Sequence, residues 1–249
     1  VWVTSLVAVG LASALPLAAT WWLATRPTLI TRLIPRLILV AAGALLGAAA
    51  FHLIPEALVA ASPTRVGMLV VLGVIALAAF ERVVHQLERP SRAAVPHAPL
   101  GHRGHLMPLG IASDALHNTI DGALIATAFL SNPSLGLFTG AAIALHELPR
   151  ELGTFALCVD SGMSPRRAIL VNAATGVLAL LGAMVVLIVG AGAERFGAVL
   201  LPFAAGNFLY LAGAIVASQR RPASAATWQG RALWVAGGVA LTAVLSGGH

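Results

Sequence analysis

Residues 107–130, MPLGIASDALHNTIDGALIATAFL, decide the fold. The run is apolar and long enough to cross a bilayer as helix, which takes about 20 residues. It nevertheless carries Asp114, His117, Asn118 and Asp121. A second run, residues 134–158, SLGLFTGAAIALHELPRELGTFALC, does the same with His146, Glu147, Arg150 and Glu151. One Asp or Arg at the centre of a spanning helix costs roughly 2.5–3.5 kcal/mol, so residues kept there mark a route for ions, protons or substrate. The two runs therefore imply an integral membrane protein whose chemistry lies in the polar clusters.

Composition agrees with that class. Hydrophobic residues make up 59% of the 249-residue chain and charged residues 10%, against about 25% charged in a soluble domain. Mean hydropathy is +0.91. Apolar runs fall at about 1–23, 37–58, 65–84, 107–130, 134–158, 166–190, 197–217 and 230–247. The expected fold is all-α, an integral membrane bundle of eight transmembrane helices forming a single domain over 1–249. The stretch at about 85–106, with Pro90, Pro96, Pro99, Gly101 and Gly104, reads as a flexible loop. The first run lacks a basic leader and a small-residue cleavage site, and is read as retained helix.

The charge of +6 reports topology, and it gives no support to a nucleic-acid partner. All 15 basic residues are Arg. Arg26, Arg32 and Arg36 follow the first run, Arg82, Arg89, Arg92 and Arg103 the third, Arg166 and Arg167 the fifth, and Arg220, Arg221 and Arg231 the seventh. The alternate connections hold only Arg65 and Arg195. The positive-inside rule then puts both termini outside the cytoplasm and the long loop within it. Cys158 has no second cysteine to pair with.

At 100° per residue, Asp114, His117, Asn118 and Asp121 share one helix face, and His146, Glu147, Arg150 and Glu151 share another. The two runs are joined around Asn132-Pro133-Ser134, so they are expected to be antiparallel neighbours with their clusters at one depth. Imidazoles, carboxylates and an amide make a mixed nitrogen and oxygen ligand set, suited to Zn²⁺, Fe²⁺ or Mn²⁺, and the absence of a thiolate from it argues against copper(I). Pro149 frees the carbonyl of Leu145, and Gly122 and Gly153 are expected to let these two helices approach closely. His52 and Glu56 share a face near the outer end of the second run, a candidate entry mouth. His97, His102 and His105 add imidazoles to the loop, and Gly43 and Gly47 form a small-residue pair for helix packing.

HNTIDG at 117–122 followed by HELPRELG at 146–153 resembles the paired signatures of the ZIP family of divalent metal transporters. The likeness extends to FHLIPEA at 51–57, Asn172, and PFAAGNFLY at 202–210. It implies a central metal site of His117, Asp121, His146 and Glu151, and an adjacent second site drawing on Asn118, Glu147 and Asn172. It also implies a homodimer in the lipid bilayer that moves Zn²⁺, with Fe²⁺, Mn²⁺ or Cd²⁺ as alternatives, toward the cytoplasm. The metal is substrate, the protein is not an enzyme, and the expected location is a cell membrane, the bacterial inner membrane.

The chain departs from the family pattern where it has Arg150 instead of His and Thr154 instead of Asp. Arg150 must be paired at that depth, and Glu147 or Asp114 is the expected partner. Two other readings follow from these departures: a metal sensor or weakened transporter, and an intramembrane metalloprotease, since His146-Glu147-Leu148-Pro149-Arg150 lacks only the second His of H-E-x-x-H.

Overall fold

The computed structural model describes residues 1–94, 106–190, 194–218 and 225–246, and every regular element among them is helical. In chain order these are α1 (Trp2–Ala24), α2 (Pro27–Ala48), a π-helical turn (Ala49–Leu53), α3 (Ile54–Ala60), α4 (Pro63–Ala94), α5 (Leu106–Ser131), α6 (Pro133–Asp160), α7 (Pro165–Val189), α8 (Glu194–Ser218) and α9 (Ala225–Ser246). Among the described residues, each apolar run of the sequence falls on one rod to within a residue at its ends, with α2, the π turn and α3 forming a single continuous one. Five rods, Trp2–Ala24, Arg32–Ala60, Pro63–Val84, Pro165–Val189 and Ala198–Ser218, are long and apolar enough to cross a membrane on length and composition alone. α5 and α6 are less apolar because they carry the polar clusters.

Proline and glycine punctuate the rods. Pro27, Pro133 and Pro165 stand in the first turns of α2, α6 and α7, where the missing N–H costs nothing. Asn132 caps α6 by accepting a 2.8 Å hydrogen bond from the Ser134 N–H, which makes the tight turn from α5. Two residues beyond the end of α6 stands Gly162, whose φ of 98° lies in the left-handed region; the Met163 N–H reaches back 3.0 Å to the Cys158 carbonyl, as in a Schellman cap.

The structure departs from the sequence reading at the start of the expected loop. α4 runs on to Ala94, because Glu81, Arg82, Gln86, Glu88 and Arg89 are polar yet strong helix formers, so hydropathy ends before helix propensity does. The rest of that loop, with His97, His102 and His105, lies outside the described residues. Neither Pro55 nor Pro149 ends a helix. Pro55 follows the π turn, whose wider winding accommodates a ring that would otherwise meet the carbonyl one turn back.

The rods pack in two groups. α1, α5, α6 and α7 enclose a small apolar core of Val9, Ile125, Phe129, Ile143, Val186 and their neighbours. α2 packs on α8 and α9, and α4 on α8; a larger core around Ile38, Leu53, Leu109, Phe155 and Phe208 joins this group to α5 and α6.

Glycine contacts set the closest approaches, and here the expectation for Gly122 and Gly153 fails. A β-carbon on Gly122 would collide with the Ala179 carbonyl of α7, and one on Gly182 with the Thr119 carbonyl of α5. Gly153 faces Ala41 of α2. These glycines draw α5 to α7 and α6 to α2, not α5 to α6, because the face that α5 and α6 share is filled by the polar clusters. Gly43 and Gly238 likewise close α2 on α9, with Gly47 against Thr242, and Gly73 and Gly206 close α4 on α8. Large apolar side chains such as Val3, Leu11, Val59, Phe138, Ile188 and Val244 point outward, a surface suited to acyl chains.

Candidate metal centre

α5 and α6 repeat one spacing. Asp114, His117, Asn118 and Asp121 stand at i, i+3, i+4 and i+7 of α5, and Glu147, Arg150, Glu151 and Thr154 at the same intervals of α6, so each set forms a single stripe. All eight side chains are buried, and the stripes face each other. His146 lies on α6 beside Glu147; its side chain is outside the described residues.

At one end of the shared face, His117 Nε2 stands 3.4 Å from Asp121 Oδ1 and 3.5 Å from Glu147 Oε1. One ligand atom from each of these three residues lies within 4.8 Å of the other two. Bonds of about 2.0–2.1 Å to a tetrahedral zinc ion place neighbouring ligand atoms roughly 3.3–3.4 Å apart, so the two shorter separations suit two edges of such a polyhedron. The Phe208 ring of α8, with its centroid 4.6 Å from that of His117, backs the imidazole.

At the other end sits Arg150, 4% exposed. Its Nε donates to Glu147 Oε1 at 2.6 Å, its Nη2 to Glu147 Oε2, and its Nη1 to Asp114 Oδ1. Glu151 Oε1 lies 3.8 Å from Nη2. Thr154 donates to Asp114 at 3.3 Å. Asn118 Nδ2 lies 3.4 Å from both Asp114 Oδ2 and Glu151 Oε1, linking the stripes. Asn172 of α7 donates to the Glu151 backbone carbonyl at 3.0 Å. Among the described residues, Glu151 Oε2 and Asn172 Oδ1 are buried without a hydrogen-bond partner, unusual for such atoms and open to a ligand.

The structure therefore brings together Asp114, His117, Asn118, Asp121, Glu147, Arg150, Glu151 and Asn172. It distributes them differently from the resemblance: Glu147, implied for the second site, closes the tight group with His117 and Asp121, while Glu151 lies toward Asn118, Arg150 and Asn172. Phe208 was not legible as part of the site, since nothing in a helical pattern says which residue of another helix abuts a given face; Thr154 was marked in the sequence only as a position lacking the family's carboxylate. His52 and Glu56 stand apart, 3.8 Å from each other. Glu56 lines a cavity of about 520 Å³ whose wall includes Thr119 and Ile120 of α5, adjacent in sequence to the cluster.

Fold and site define a multi-pass helical membrane protein with a buried histidine and carboxylate cluster between two antiparallel helices. A family model described as ZIP zinc transporter matches residues 108–246, and the chain belongs to that family. It is 44% identical over 108 residues to zinc transporter ZIP4 of Mus musculus, covering 43% of this chain and 16% of that protein. Zinc transporter ZIP6 of Homo sapiens is 41% identical over 102 residues, 41% of this chain and 14% of that protein. Zinc transporter zipt-7.1 of Caenorhabditis briggsae is 37% identical over 107 residues, 42% and 27% respectively. The matched stretch thus spans between about a seventh and a quarter of these relatives.

Proposed function

We propose that this chain moves divalent transition-metal cations across a cell membrane into the cytoplasm, Zn²⁺ foremost, with Fe²⁺, Mn²⁺ and Cd²⁺ as lesser substrates. The observation that carries the reading is the buried group His117, Asp121 and Glu147, spaced for a tetrahedral ion. His146, Glu151, Asn118 and Asn172 complete the proposed ligand set, and Glu56 with His52 marks the outer approach. Eight crossings with both termini outside, supported by the arginine distribution, and a homodimer, supported by the family resemblance, complete the proposal. The names of the relatives support zinc as cargo.

The test is Zn²⁺ flux into proteoliposomes with His117→Ala as the control variant. Metal-dependent flux in the wild type, lost at least tenfold in the variant, is expected; wild-type flux in the variant overturns the assignment. Arg150 favours a second reading, metal binding without transport, because a fixed cation stands on the shared face. Tight Zn²⁺ binding with no flux would select it. The metalloprotease reading gains nothing from the geometry, since the Glu147 carboxylate is held by the Arg150 guanidinium instead of standing ready as a base.

A further inference from the structure

We propose that Arg150 is a tethered occupant of a second cation position, limiting the α5/α6 site to one divalent ion and competing with that ion for Glu147. The inference rests on the metal-binding reading of His117, Asp121 and Glu147, and adds to it an assignment of the other half of the polar face.

Three carboxylates converge there, Asp114 from α5 and Glu147 and Glu151 from α6, and the guanidinium lies among them: bonded to Asp114, bonded twice to Glu147, and 3.8 Å from Glu151. It takes the carboxylate oxygens that a cation bound at that end would need. The remaining donors are also those of a cation site. Glu151 Oε2 is buried with no hydrogen-bond partner among the described residues, and the residue is 5% exposed. Two small cavities flank the cluster, of about 20 Å³ beside Asp114 and Arg150 and about 10 Å³ beside Asp121 and Glu147. Each has room for about one water at most.

Glu147 is the point of competition. Its Oε1 accepts from Arg150 Nε at 2.6 Å while lying 3.5 Å from His117 Nε2. An ion drawing on that oxygen takes electron density that Arg150 also draws upon, so the guanidinium weakens the ion's hold. A lysine at this position would keep the charge but not the two-pronged grip.

The experiment counts Cd²⁺ bound to the purified full chain in detergent, by titration calorimetry and by metal content after desalting, in wild type, Arg150→His and Arg150→Lys. Arg150→His is expected to gain one ion per chain relative to wild type, and Arg150→Lys to keep the wild-type count while binding severalfold more tightly. A folded Arg150→His with no added ion, or an Arg150→Lys with unchanged affinity, overturns the proposal; the second measurement stands if the first variant does not fold. His117→Ala separates this inference from the reading beneath it. Wild-type Cd²⁺ affinity in His117→Ala would remove the central site, whereas loss of binding there with no response in either Arg150 variant would remove only the role given to Arg150.

Discussion

Glu151 and Asn172 show how much one side chain can depend on another's backbone. Asn172 holds the Glu151 carbonyl from α7, while the Glu151 carboxylate itself lies against Asn118 and near Arg150. Glu151→Gln removes a charge from the cluster, and Asn172→Ala removes a bond that positions it. Zn²⁺ uptake into proteoliposomes should therefore fall further in Glu151→Gln, by tenfold or more, than in Asn172→Ala; wild-type uptake in Glu151→Gln would show that Glu151 acts only through its backbone. The residue types of the site were legible in the sequence because buried charge at helical spacing has few explanations in a membrane. Arg150 pairs with both acids that the spacing offered it. The role of Glu147 was less legible, since i, i+3 and i+4 neighbours share a face and only side-chain direction decides which of them reaches His117.

At the scale of elements, the helices of the apolar runs were legible because a bilayer leaves the backbone no alternative to helix in such runs. Their partners were not. Apolar runs look alike on every side, so the sequence marked Gly122 as a contact residue without saying that α7 stands opposite. Contrast within the glycines makes this testable. Gly122→Ala must push the Ala179 carbonyl aside, whereas a β-carbon on Gly10 meets nothing within 4 Å. Overpacking of this kind costs about 1–3 kcal/mol, and Gly→Ala on an open helix face gains up to about 1 kcal/mol. Thermal unfolding in detergent should show Gly122→Ala melting below wild type and Gly10→Ala at or above it. A Gly122→Ala protein as stable as Gly10→Ala would mean that α5 and α7 are not in backbone contact.

For the molecule as a whole, the arginine distribution makes a statement about sides. In the proposed topology Ser62, between α3 and α4, lies outside, and Ser164, ahead of α7, lies in the cytoplasm. Both are exposed, and the one native thiol, Cys158, is 0% exposed. Single cysteines at these positions, in a Cys158→Ala background, should react with a membrane-impermeant maleimide from opposite faces: Ser62→Cys in intact cells, Ser164→Cys only after the membrane is opened. Labelling of both in intact cells would break the proposed topology.

The backbone contact between Gly43 and Gly238 also bears on how the chain comes together during synthesis. Gly43 is synthesised well before Gly238, and at roughly 5–20 residues per second the interval between them is on the order of ten to forty seconds. Through that interval the glycine face of α2 has only lipid or another chain to lie against. A ribosome stalled before α9 would leave α2 with an adhesive groove, and α9 is the latch that closes it.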